Sequence, residues 1–297
     1  MLRVSLIAPI GLLGFAGVFS PGARGAAPLP PMTVFLLAGQ SNMAGRAPAD
    51  GVSASDLRAA RPIAFDYVCS FAAGGTGPGA PDPHHSDGWV PLGISPRHRS
   101  TPGGHFGPEI GFGLTLARQL PPAHLAIVKH GRGGTDLAED WAPGAVGGRQ
   151  LYAAFLAQAR SALARLRSAG TPYELGAFVW VQGEADATRR TWAEQYEANL
   201  TELLARVRAD FGVPRLPALI VLTADGRRYP QMKFAADVRA AQRSVVRRDR
   251  CAALVSGDDL SFLDAAHYDA AGQLELGRRL AEAYLRLRAA RSSREHP

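Results

Sequence analysis

Six apolar runs of strand length punctuate the chain and alternate with amphipathic stretches of helical spacing. The runs cover 32–38, 63–69, 124–130, 175–181, 218–223 and 252–256. They are near-continuous in β-branched and aromatic residues, which suits strands buried on both faces. Between them, Tyr196, Leu200, Leu203, Leu204, Val207 and Phe211 step by helical intervals and make one apolar face. Leu276, Leu280, Ala283, Tyr284 and Leu287 do the same near the C-terminus. Leu151 to Leu166 is a third such segment, and Gly170 ends it. This alternation predicts parallel βαβ units and an α/β fold, a three-layer α/β/α sandwich. At 297 residues, one large domain is the expectation, with ample chain for a full core.

The first 25 residues read as a separable unit. Arg3 precedes an apolar stretch from Val4 to Phe19, followed by Pro21 and Ala23-Arg24-Gly25. That is the pattern of a secretory signal peptide cleaved after Gly25, leaving 26–297 as the mature domain and placing it in a secreted or periplasmic setting. The stretch holds Pro9 and several glycines and is short for a span of ~20 residues. No stable membrane association is expected after cleavage. Export permits a disulfide between Cys69 and Cys251, but two buried thiols fit equally well.

The net charge is +7, and Lys129 and Lys233 are the only lysines among 33 basic residues. The arginines are spread over helices and mixed with acids. Arg243 to Arg250, interrupted by Asp249, reads as a solvated helix face, so no nucleic-acid partner is expected. Residues 70–108 break the rhythm with many Gly and Pro and four His. A loop of that length is expected to shape the rim of a site. Its Asp82-Pro83-His84-His85 matches no standard ligand spacing, so no metal and no cofactor are predicted.

Four short motifs carry the chemistry. Gly39-Gln40-Ser41-Asn42-Met43 follows the first apolar run, where a strand end would expose one hydroxyl. It is not Gly-x-Ser-x-Gly, because position 43 is Met. Gly131-Arg132-Gly133-Gly134-Thr135 follows 124–130, and no Gly-Lys-Ser/Thr makes it a phosphate loop. Gln182-Gly183-Glu184-Ala185-Asp186 follows 175–181, and Asp264-Ala265-Ala266-His267 precedes the last helix. In an open α/β sheet the carboxyl ends of the strands are neighbours and hold the ligand. Together these motifs supply what acyl transfer needs. Ser41 is the nucleophile, His267 the base, and Asp264 the acid that fixes the imidazole tautomer. A glycine amide in 131–135 and the Gln182 amide are candidate oxyanion donors. Glu184 is either the alternative acid or a buried carboxylate holding the Ser41 loop; the second is favoured because Asp264 is nearer in sequence. Asp186 is read as structural. Trp141 and Trp89 are candidates to stack on sugar rings, whereas Trp192 belongs to a helix.

These motifs, in this order, resemble the SGNH (GDSL-like) hydrolases. The closer resemblance is to their sialate O-acetylesterase-like branch and the acetylxylan esterases of carbohydrate esterase family 6. It rests on Gly39–Met43, Gly133-Gly134-Thr135, Trp180–Asp186 and Asp264–His267, and spans about 32 to 288. The resemblance implies a flavodoxin-like parallel sheet of about five strands and metal-independent removal of O-acetyl groups from a carbohydrate. It implies an oxyanion hole from the amides of Ser41 and Gly133 with Gln182, although Gly134 is open as the donating glycine. A lipase-like or acyltransferase activity on the same scaffold, or a non-catalytic glycan-binding protein, are the alternatives. The segment Lys129-His130-Gly131-Arg132 is more basic than a neutral sugar ester requires. Arg132 is read as a surface residue rather than a contact to an acidic sugar.

Overall fold

The computed structural model describes residues 31–70, 84–95 and 103–295. The expected signal peptide lies outside the described residues. All six apolar runs form strands: β1 (Met32–Gly39), β2 (Ala64–Ser70), β3 (Leu125–Arg132), β4 (Tyr173–Val181), β5 (Ala218–Val221) and β6 (Ala252–Val255). They pair in parallel in the order β2-β3-β1-β4-β5-β6. The sheet therefore has six parallel strands where about five were expected. β1 sits at its centre, with β3 and β4 on either side.

Strict alternation along the strands divides the core in two. Val34, Leu36 and Ala38 face one side, packing with Phe155 of α3 (Leu151–Ser168), Leu200 of α4 (Arg190–Asp210) and Val238 of α5 (Ala235–Arg248). Phe35 and Leu37 face the other, against Phe112 of α2 (Glu109–Leu116) and Leu280 of α6 (Ala270–Glu295). Full burial of such a side chain stabilises the fold by roughly 1.5–3 kcal/mol. The helical segments predicted from periodicity become α3, α4 and α6, and Gly170 follows α3 at a φ of 67°. Arg243, Arg247 and Arg248 are exposed on α5, a solvated face as expected.

Two helices were not legible. α1 (Ala54–Ala60) is a short surface helix, capped by the Ser53 hydroxyl accepting from the Asp56 amide at 3.0 Å. α2 carries Gly111 and Gly113, each of which costs a helix ~1 kcal/mol relative to Ala. Packing explains the first: a Cβ on Gly111 would lie 2.1 Å from the Leu274 carbonyl oxygen of α6. Gly277 of α6 makes the reciprocal approach, 2.2 Å from the Pro108 oxygen. The two helices cross with backbones in contact.

Of the 70–108 segment, expected to shape the rim of the site, 71–83 and 96–102 lie outside the described residues. His84–His85 and Val90–Pro91 pair antiparallel with β2 and extend the sheet edge. His105–Phe106 pairs with Ala47–Pro48, behind the turn that carries Ser41. Both cysteines are free thiols, Cys69 buried and Cys251 partly so. Among the described residues, no helix is long and apolar enough to cross a membrane.

Candidate active site

The site lies at the carboxyl end of β1. Gly39 ends the strand at a φ of 154°, and a Cβ there would sit 2.1 Å from the Val181 carbonyl oxygen of β4. Only glycine lets the two strands close this tightly. The chain then enters a single helical turn, Ser41–Ala44, which begins with Ser41. Met43, the residue that breaks the Gly-x-Ser-x-Gly pattern, is fully buried in the α2/α6 side of the core. It anchors the turn where a glycine would leave it loose.

The Ser41 turn is fastened at both ends. Lys129 of β3 donates from Nζ to the Ala44 carbonyl at 3.0 Å and pairs with Glu109 at 2.9 Å. Both side chains are wholly buried. Glu109 also accepts from the Gly107 amide at 3.0 Å. At the other end, the Gln40 side-chain oxygen accepts from the Gly183 and Ala185 amides, at 3.4 and 3.3 Å.

His267 is held by Asp264. Its Nδ1 lies 2.8 Å from each Asp264 carboxylate oxygen, and Asp264 Oδ1 also accepts from the Ala266 and His267 amides at 2.8 and 2.9 Å. Partial burial would raise the Asp264 pKa, but these hydrogen bonds and the imidazole outweigh it and hold the carboxyl below its ordinary value. With Nδ1–H committed to Asp264, Nε2 is the nitrogen left to accept a proton.

Glu184 does not take part in that pair. Its Oε1 accepts from Asn42 Nδ2 at 3.0 Å. Burial pushes its carboxyl up, with Asn42 among the groups that oppose the shift. The buried Glu184 carboxyl is thus tied to the residue that follows Ser41. Asn42, which the sequence did not single out, is the hub. It also donates to the Ala266 carbonyl at 3.0 Å and accepts from the Tyr268 amide at 3.2 Å.

Ser41 and His267 line one cleft of about 490 Å³, together with Gly133, Gly134 and Glu184. Charged and aromatic side chains form its walls: Arg46, Arg149, Asp136, Trp192 and Tyr229, with the Arg189 guanidinium 3.9 Å from the Trp192 ring centre. Trp192 stands on α4, as expected of a helical residue, yet it reaches the cleft.

Two expected oxyanion donors are committed elsewhere. Gln182 is buried, and its Nε2 donates to the Thr135 carbonyl at 3.0 Å and to Asp186 at 2.5 Å. Its Oε1 accepts from Tyr196 at 3.0 Å. Both amide hydrogens are used, so the side chain braces β4 against the 132–135 turn. The Gly133 amide donates to the Ser70 carbonyl at 2.9 Å. Gly134, at a φ of 66°, lies exposed in the cleft, and its amide and that of Ser41 make no hydrogen bond among the described residues. Asp186 is structural, accepting from the Leu137 amide at 2.9 Å, and burial pushes it up to about 7.

The candidate stacking tryptophans are also placed elsewhere. Trp141 is fully buried and donates to the Thr135 hydroxyl at 3.0 Å. Trp89 packs on α3 and donates to the Ala162 carbonyl at 3.1 Å. Arg132 is half-buried, and burial lowers its pKa.

Known proteins share this plan. A probable carbohydrate esterase of Arabidopsis thaliana is 28% identical over 281 residues, covering 87% of this chain and 92% of the plant protein. A solved Arabidopsis structure superposes with a TM-score of 0.65 at 24% identity, covering 86% of this chain and 99% of that one. NanS superposes at 0.60 with 17% identity, covering 88% and 99%. A carbohydrate acetylesterase from Xanthomonas citri gives 0.58 at 20% identity, covering 87% of this chain and 56% of its own. The family model described as carbohydrate esterase, sialic acid-specific acetylesterase matches residues 31–286, and the chain belongs to this family of ester hydrolases.

Proposed function

We propose that the protein is an exported serine esterase that removes O-acetyl groups from a carbohydrate, of sialate or acetylxylan type, through an acetyl-enzyme. The observation that carries this reading is the Asp264–His267 pair at 2.8 Å, opening on the same cleft as Ser41. Ser41 Oγ bonds to the acetyl carbon as its proton passes to His267 Nε2. The sugar oxygen leaves with that proton. Water then attacks the acetyl-enzyme, His267 takes its proton, and acetate departs as Ser41 is reprotonated. The free amides of Ser41 and Gly134 are the donors assigned to the oxyanion, in place of Gly133 and Gln182. A cleft walled by arginines, acids and aromatic rings favours a hydroxylated substrate over a long acyl chain.

Export rests on the signal pattern of residues 1–25 and is tested by N-terminal sequencing of the secreted form, expected to begin at Ala26. The chemistry is tested with Ser41→Ala, which should abolish acetate release from acetylated sialate and xylan fragments. Full activity in that variant would remove Ser41 from the mechanism.

A further inference from the structure

A second hollow of about 330 Å³ adjoins the catalytic cleft, and Tyr229 is common to the walls of both. The second hollow lies at the carboxyl ends of β5 and β6, between the 224–229 loop and the 257–265 segment. We propose that it is a second sugar site, so that the enzyme removes acetyl groups from a unit within a glycan chain rather than from a free monosaccharide. This rests on the carbohydrate reading above.

Four observations support it. The wall includes an aromatic ring, Phe262, with the Arg228 guanidinium 4.8 Å from its centre. The Arg189–Trp192 stack repeats this arrangement on the catalytic cleft, so arginine-backed rings occur in both hollows. An aromatic ring in the wall offers apolar contact to the C–H surface of a sugar, and the rigid guanidinium fork donates to hydroxyls.

The polar groups of the hollow are set in advance. Asp258 is clamped by Arg239 at 2.8 and 2.7 Å, and Asp225 accepts from the Arg227 amide at 3.1 Å. Acceptors already oriented lose little freedom when a hydroxyl docks. Carboxylates and guanidiniums are nearly balanced around the space, which fits a neutral sugar better than an acidic one. Its volume is at the low end for a small-molecule site, enough for about one ring.

The Phe262 ring is also tied in register to the base. Phe262 bridges to Tyr268, their rings are 4.7 Å apart, and the Leu263 amide donates to the His267 carbonyl at 2.8 Å. A sugar on Phe262 is therefore held at a fixed offset from the residue that receives the Ser41 proton.

The test compares kcat/KM on matched pairs: O-acetylated xylose against xylotriose, and O-acetylated sialic acid against sialyllactose. The expected result is a preference of about tenfold or more for the longer member of at least one pair. Arg228→Ala and Phe262→Ala should each cut that preference to near one and leave p-nitrophenyl acetate hydrolysis unchanged in Arg228→Ala. Arg228 is exposed, so its removal is not expected to disturb folding. Equal rates on both members of each pair, or a preference that survives Arg228→Ala and Phe262→Ala, would overturn the second site alone. Hydrolysis of p-nitrophenyl acetate with no acetate from any sugar would overturn the carbohydrate reading and this inference with it.

Discussion

Asn42 grips the two peptide groups that flank His267, accepting from the Tyr268 amide and donating to the Ala266 carbonyl. The residue after Ser41 thus fixes the backbone around His267. These partners are more than 220 positions apart in the chain, so their spacing is set by one side chain rather than by two independent loops.

Removal of that side chain should slow the reaction more than it weakens binding. Asn42→Ala is predicted to lower kcat by about 10–10²-fold with little change in KM, because displacements of about 1 Å in a reacting group carry penalties of that size. It should also cost about 1–3 kcal/mol of stability, since the Glu184 carboxylate loses a buried donor. Steady-state kinetics and chemical denaturation measure the two effects separately. A change confined to KM would break the link between Asn42 and the base.

Asp264 and Glu184 can be separated by conservative amides. Asp264→Asn should reduce kcat by roughly 10²–10⁴, because the imidazole loses the carboxylate that fixes its tautomer. Glu184→Gln keeps an acceptor for Asn42 and should cost less than tenfold. A larger loss in Glu184→Gln than in Asp264→Asn would make Glu184 the acid partner of His267.

The Lys129–Glu109 pair gives a contrasting result for single and double variants. Lys129→Met leaves a buried carboxylate without its cation and should destabilise the fold by about 3–5 kcal/mol. Replacing both, Lys129→Met with Glu109→Leu, should recover most of that loss. The Ala44 carbonyl still lacks its donor in the double variant, so kcat should stay below wild type. Thermal melts and kcat on p-nitrophenyl acetate read the two quantities, and a fully active double variant would confine the pair to stability.

His130 should make the fold sensitive to acid. It is buried between Trp141 and Phe155, with Nδ1 2.8 Å from Gln158 Oε1, and burial lowers it from 6.5 to about 4. The folded state binds fewer protons than the unfolded chain between those values. The stability His130 contributes is therefore complete above pH 6.5 and lost as pH falls toward 4, about 3 kcal/mol in all. Asp186 acts with the opposite sign: raised from 3.8 to about 7, its contribution is complete below 3.8 and lost as pH rises to 7. His130→Gln should leave the Asp186 slope alone. Urea melts at pH 4.5 and 6.5 should show stability falling with acid less steeply in the variant than in wild type.

How much of the site could be read in advance depended on the reach of each interaction. The Asp264–His267 pair is three residues apart on one turn, and such spacing is visible in a linear chain. Ser41 at a strand end was visible because the apolar run before it stops at Gly39. Which glycine amide stays free was not visible, because Gly133 and Gly134 differ only in which amide β2 captures. Gln182 carries the right chemistry, but Thr135 and Asp186 take both its hydrogens.

The fold divides in the same way. Six apolar runs and three periodic helices are local signals, carried by spacing that any window of the chain contains, and they specified an α/β sheet. The helix α2 was hidden because its glycines weaken local propensity and gain their value only against α6. The sequence by itself determined the strands and singled out Ser41 and the Asp264–His267 pair as candidates. Only the tertiary structure decided which amides remain free, which carboxylate serves His267 and which rings face the cleft. Each of those is a competition among partners distant in the chain, and close packing alone selects the winner.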